Sequence, residues 1–78
     1  MQYVWDSVDV HWCAARRWVV RAVEPNGKEE YIDDFGLLAD AIEEAKLYAF
    51  STDCGPQRGK AVRVFTKRNI LKNIIKAA

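Results

Sequence analysis

The apolar residues of this chain change period near residue 36, and that change limits what it can fold into. Val8, Val10 and Trp12 alternate with Asp9, His11 and Cys13, the period of a half-buried strand. Residues 17–24 follow, with Val19, Val20 and Val23 supplying β-branched side chains, and read as a second strand. Pro25-Asn26-Gly27-Lys28 then presets one turn dihedral with proline and offers a positive φ with glycine. Residues 29–34 are expected to return antiparallel to the second strand. Beyond Gly36 the pattern becomes helical: Leu38, Ala41, Ile42, Ala45 and Ala49 fall on one face, and Asp40, Glu43, Glu44 and Lys46 fall elsewhere. A helix is predicted over 37–51, with Gly36 as N-cap and Asp33 and Asp34 at its positive end.

After a loop over 51–59, broken by Cys54-Gly55-Pro56 and Gly59, Val62 and Val64 alternate around Arg63 in a strand over 61–66. Thr66 is placed to cap a last helix over 67–77, with Ile70, Leu71, Ile74 and Ile75 as its stripe. The predicted order is β-β-β-α-β-α. The expected fold is a single compact α+β domain over 1–78, an antiparallel sheet of three to four strands with two helices. Half of the 78 residues are hydrophobic, which removes disorder as a class. No apolar run approaches the ~18 residues of a membrane span. Residues 1–6 show no basic-then-apolar export pattern, so the expectation is a cytoplasmic protein with Cys13 and Cys54 as free thiols. A domain this small should be stable by only ~3–5 kcal/mol.

The near-neutral net charge of +1 hides a division. Residues 1–57 hold all 11 acids with Arg16, Arg17, Arg21, Lys28 and Lys46. Residues 58–78 hold Arg58, Lys60, Arg63, Lys67, Arg68, Lys72 and Lys76 and no acid. Glu29, Glu30, Asp33, Asp34, Asp40, Glu43 and Glu44 are crowded onto the third strand and first helix. Three readings compete. The basic end can fold back on the acidic body as a compensating, solvated surface. The seven acids can be displayed and dock on a basic groove of a partner. Or the cations, Arg16, Arg17, Arg21, Arg58, Lys60, Lys67 and Arg68, can bind the phosphates of nucleic acid, against which the 11 acids weigh.

Chemistry finds little support. Asp9, His11 and Cys13 share a strand face in the order of an activated thiol, but neighbours two apart sit ~6.5–7 Å from each other along the strand. His11, Cys13, Asp53 and Cys54 lack any standard zinc spacing. With one histidine and Ser7 and Ser51 as the only serines, a hydrolase triad is nearly excluded. Gly55-Pro56-Gln57-Arg58-Gly59-Lys60 is followed by Ala61, not by Ser or Thr, and precedes a strand, so it is no phosphate loop. No catalytic residue, cofactor or metal is expected, and the chain is read as no enzyme.

Trp18-Val19-Val20-Arg21, Asn26-Gly27, Phe35 and Ala41 give residues 16–50 a layout that resembles AP2-like and integrase arm-type DNA-binding domains. That resemblance implies a three-stranded sheet in the major groove, backed by a helix. The acidic third strand and helix depart from it. In size and charge style the chain also resembles small phage-encoded inhibitors of host defence, of the anti-CRISPR type. This resemblance implies a stand-alone inhibitor, acidic on one face as a nucleic-acid mimic. The leading expectation is such a binding protein, with Glu29, Glu30, Asp33, Asp34, Asp40, Glu43 and Glu44 meeting a partner of basic surface. A DNA-binding module is the second choice. A homodimer is compatible with either, and a membrane partner with neither.

Overall fold

In the computed structural model, which describes residues 3–52 and 57–77, three strands come first: β1 (Ser7–Cys13), β2 (Arg17–Val23) and β3 (Glu29–Phe35). Helix α1 (Leu38–Phe50), β4 (Ala61–Phe65) and β5 (Leu71–Lys76) follow. All five strands join one sheet in the order β3-β2-β1-β4-β5. β1 is antiparallel to β2, β2 to β3 and β4 to β5, while β1 and β4 run parallel. The sheet is therefore mixed, with α1 serving as the crossover between its two antiparallel parts.

The turns form for local reasons. At Glu24–Lys28 the Gly27 amide donates to the Glu24 carbonyl, and Gly27 takes φ of 90°, which a Cβ would oppose. The Asn26 side chain accepts from the Lys28 amide at 2.9 Å, so the turn residues read from sequence are used. The β1–β2 and β4–β5 hairpins each close with a non-glycine residue in the left-handed region, Arg16 and Asn69, both at φ 62°. Helix α1 is one residue shorter at each end than predicted, and its N-cap is Leu37, which offers no side-chain acceptor. Gly36 is therefore not the cap.

The core lies between α1 and one sheet face. Val8, Val10, Val20 and Val62 from the strands are fully buried in one cluster with Ala41, Ala45 and Ala49. Alanine at every fourth position gives the helix a flat side, so its axis can sit close over the valines. Gly59 continues this tight fit: a Cβ there would come within 3.2 Å of Ala49 Cα, and its amide donates to the Ala49 carbonyl at 2.7 Å. Trp5, Trp12, Phe35 and Phe50 pack around the rim, and Trp12 meets Trp18 edge-on at 4.9 Å between ring centroids.

Two expectations are corrected. The antiparallel sheet of three to four strands with two helices is a five-stranded mixed sheet with one helix. The last helix, predicted over 67–77, is the strand β5. Its apolar residues fit a helical stripe, but Thr66, Lys67, Arg68 and Asn69 form a hairpin turn. The Thr66 amide donates to the Ile70 carbonyl, and the Asn69 amide to the Thr66 carbonyl. The Thr66 hydroxyl does accept backbone amides, from Arg68 and Ile70, but in a turn and not at a helix start. Three isoleucines then favour the pleated conformation, and pairing with β4 supplies what a local helix could not.

With one helix, the other sheet face stays open. Val19 on that face is nonetheless 7% exposed. Among the described residues, no helix is long and apolar enough to cross a membrane.

Candidate functional site

The open face has a carboxylate at its middle. Asp9 lies on the central strand, opposite Arg21 of β2 and Arg63 of β4, and is 1% exposed. Burying a carboxylate costs several kcal/mol unless its oxygens are satisfied. Arg63 supplies a two-pronged bond, Nε to Oδ1 at 2.9 Å and Nη2 to Oδ2 at 2.5 Å. The Ser7 hydroxyl donates to Oδ1 at 2.8 Å. These bonds hold the Arg63 guanidinium charged, with its pKa raised chiefly by the hydrogen bonds to Asp9. Beside them, His11 stacks on Phe65 at 4.2 Å and bonds Asn69 through Nδ1. The centre of this face is a self-neutralised polar network.

Asp9, His11 and Glu29 bring ligand atoms within 4.8 Å of one another. Both Asp9 oxygens are already held by a guanidinium, and Arg21 and Glu29 line the same shallow cleft with His11, so the ion pair accounts for this cluster without a metal. Cys13 is a free thiol on the same face. His11 spends one ring nitrogen on Asn69, and its other lies 3.7 Å from Asp9, so the imidazole is engaged away from the sulfur. Asp53 and Cys54, and with them the zinc reading, lie outside the described residues, as does the Gly55-Pro56 start of the basic loop.

The seven acids are divided by the alternation of β3. Glu29 pairs with Val23, and Asp34 with Val19, so both belong to the open face. Glu30 pairs with Ala22, and Asp33 with Val20, which places them on the helix side, where Asp40, Glu43 and Glu44 also lie. One bulge residue, Ile32, turns into the core and keeps Asp33 at the rim. The expected single acidic face is thus divided: the edge strand β3 carries two carboxylates on each side, and α1 carries the other three on the helix side. None is fully buried. Among the described residues, only Asp34 of the seven makes an ion pair, and its partner is Arg17 of the adjacent strand.

Asp34 accepts hydrogen bonds from Tyr31 Oη and Arg17 Nε. The phenol first and the guanidinium second hold its carboxyl below the ordinary 3.8. The same bond, with the neighbouring carboxylates, pushes the Tyr31 phenol above 10.0. A depressed carboxyl stabilises the fold above its unfolded value and loses that contribution as pH falls through the folded one. A raised phenol stabilises below its unfolded value and loses it as pH rises through the folded one. In Tyr31→Phe, the Asp34 carboxyl should titrate at higher pH than in the native chain by carboxyl-carbon NMR. An unmoved midpoint would show that the phenol bond does not form in solution.

The cations are scattered and partly spent. Arg17 is taken by Asp34, Arg63 by Asp9, and Lys60 by Asp6 at 3.4 Å. Lys67 sits over the Trp12 ring at 4.5 Å. Arg16 is in the β1–β2 turn, Arg21 on the open face, Arg58 and Lys60 ahead of β4, and Arg68 in the β4–β5 turn. Arg16 and Lys67–Arg68 thus lie in turns at the same end of the adjacent parallel strands β1 and β4, while Arg58 and Lys60 lie at the opposite end of β4. Sequence reasoning missed the Asp9–Arg63 pair, whose members are 54 positions apart; the acid alternating with Val8 and Val10 was the available signal. Comparison of the chain with family models, curated proteins and solved structures returned no match.

Proposed function

We propose that this chain is a non-enzymatic binding protein whose acidic edge docks on a basic groove of a protein that handles nucleic acid, and so blocks that groove. The observation that carries the reading is the separation of charge across the sheet. β3 and β5 are its opposite edges, with three strands between them. At ~4.8 Å per strand the edges stand ~19 Å apart, about twice the Debye length at 0.1 M salt. None of the seven acids makes an ion pair with a residue of 58–77 among the described residues. That distance applies to Glu30 and Asp33 on β3; Asp40, Glu43 and Glu44 on α1 likewise make no ion pair among the described residues, and all five keep their field for an incoming partner. Such a field speeds association and fixes orientation. The anti-CRISPR type of inhibitor, which the chain resembles in size and charge style, is the functional analogy for this reading.

The test is capture from an extract of the cells that make the protein, with native chain and Glu30→Lys/Asp33→Lys/Glu43→Lys as parallel baits. The native bait should retain a basic nucleic-acid-handling protein that added DNA fragments release, and the variant should lose it while melting at the same temperature. Equal capture by both baits overturns the reading. So does a low-salt gel shift in which the native chain itself retards DNA, since that result belongs to the DNA-binding alternative.

A further inference from the structure

We propose that the two edges of the sheet also recognise each other, so that a second copy of this chain adds its β3 to the β5 of the first. Both are outer strands, each with one backbone edge that no other strand fills among the described residues. Helix α1 packs over β1, β2 and β4, and of β5 only Ile75 reaches the core on the helix side among the described residues. Ile70, Leu71 and Ile74 are 61%, 44% and 47% exposed at this edge. Lysines alone are an ordinary device for keeping an edge strand unpaired. Three exposed large apolar side chains beside them work against that purpose.

The occupant follows from direction, charge and register. β3 runs with β1, β1 runs with β4, and β5 runs against β4, so β3 and β5 point opposite ways. A copy displaced sideways in the same orientation therefore brings its β3 antiparallel to β5, as strand addition requires. β3 contains Glu29, Glu30, Asp33 and Asp34 and no cation, while β5 contains Lys72 and Lys76 and no acid. Pairing β5 with β5 or β3 with β3 gathers like charges, which is unfavourable across a sheet. Setting Glu29 opposite Lys76 puts Tyr31 opposite Ile74 and Asp33 opposite Lys72. Tyr31 is 58% exposed, and it and Ile74 share the open face, through their pairing with Arg21 and Arg63. Each strand carries one bulge, at Ile32 and at Lys72, and in this register the two bulges fall at neighbouring positions. The alternation of faces stays in step from Glu29–Lys76 to Asp34–Leu71. The contact is head-to-tail, so it extends to further copies.

Sedimentation velocity over a range of concentrations tests this, on the native chain, Lys72→Glu/Lys76→Glu and Glu30→Lys/Asp33→Lys, all checked for native circular dichroism. At low salt the native chain should rise from the 8.9 kDa of one copy to at least twice that mass. It should return toward one copy near 1 M salt, where the Debye length is ~3 Å. Lys72→Glu/Lys76→Glu alone should stay at one copy, because its two edges now carry the same sign. Glu30→Lys/Asp33→Lys alone should associate more weakly than the native chain, because its β3 is left with no net charge and sets a lysine opposite Lys72. An equimolar mixture of the two should associate again, because opposite edges are restored between them. A native chain that stays at one copy, a discrete dimer indifferent to both reversals, or a mixture that stays dissociated overturns the proposal. Should a reversal disturb the fold, Lys72→Gln/Lys76→Gln, expected to weaken association without abolishing it, replaces it. This assembly occupies the same β3 edge as the docking function, but the two are tested apart: Lys72→Glu/Lys76→Glu keeps every carboxylate of that edge, so its capture of a partner is read separately.

Discussion

Replacing Arg63 by alanine is expected to destabilise the protein by about 3 kcal/mol, the low end of what breaking a buried ion pair costs. The low end applies because the Arg63 side chain is 39% exposed and already in part hydrated, whereas the Asp9 side chain is 2% exposed. The two partners are therefore not equivalent. Without Arg63, Asp9 is left as a buried carboxylate with the Ser7 hydroxyl as its remaining close donor. Without Asp9, the guanidinium can swing into water, so Asp9→Ala should cost less than Arg63→Ala. Arg63→Lys should fall between native and Arg63→Ala, since it keeps the charge and loses the two-pronged geometry. Asp9→Leu/Arg63→Met should recover most of the loss, because no polar group is then stranded. Urea unfolding of the cycle measures all of these. If Arg63→Ala unfolds within about 0.5 kcal/mol of the native chain, the carboxylate is hydrated in solution and the network does not hold the sheet centre.

Ala45→Leu should be comparably damaging, at about 3 kcal/mol, the upper part of the usual range for overpacking. Ala45 is fully buried between α1 and the sheet, where Val8, Val10, Val20 and Val62 are fully buried too. Leucine nearly equals alanine as a helix former, so propensity does not explain a loss. The added atoms would have to lift the helix, and Gly59, held to the Ala49 carbonyl, would resist at its far end. Lys46→Leu, one position on and exposed, is the control and should change stability by less than about 0.5 kcal/mol. For a chain with ~3–5 kcal/mol in all, Ala45→Leu should leave a substantial unfolded fraction at room temperature. Equal midpoints for the two leucine variants would mean that the interface has room, contrary to a close approach of α1 to the valines.

The acidic edge is partly legible from the residues alone. Crowding of seven acids into 29–44 shows in the sequence, and so does their absence after residue 57. That the four on β3 stand two on each side of an edge strand does not show there, because the bulge at Ile32 resets the alternation and depends on pairing with β2. The Asp9 network is legible only as a polar strand face, since its arginine arrives from 54 residues away.

What the sequence determined by itself is local. The glycine turn at 24–28, the alternation of β1 and the alanine stripe of α1 each follow from dihedral freedom or period within a few residues. Tertiary structure decided the rest. Residues 71–76 satisfy a helical stripe and a strand equally well by spacing, and partnership with β4 selected the strand. The parallel docking of β4 on β1 put the basic end at the far edge from β3. Periodicity is set by neighbours along the chain. Which strand lies beside which, and so how far opposite charges are kept apart, is set by burying one sheet face under a single helix, a property of the whole chain.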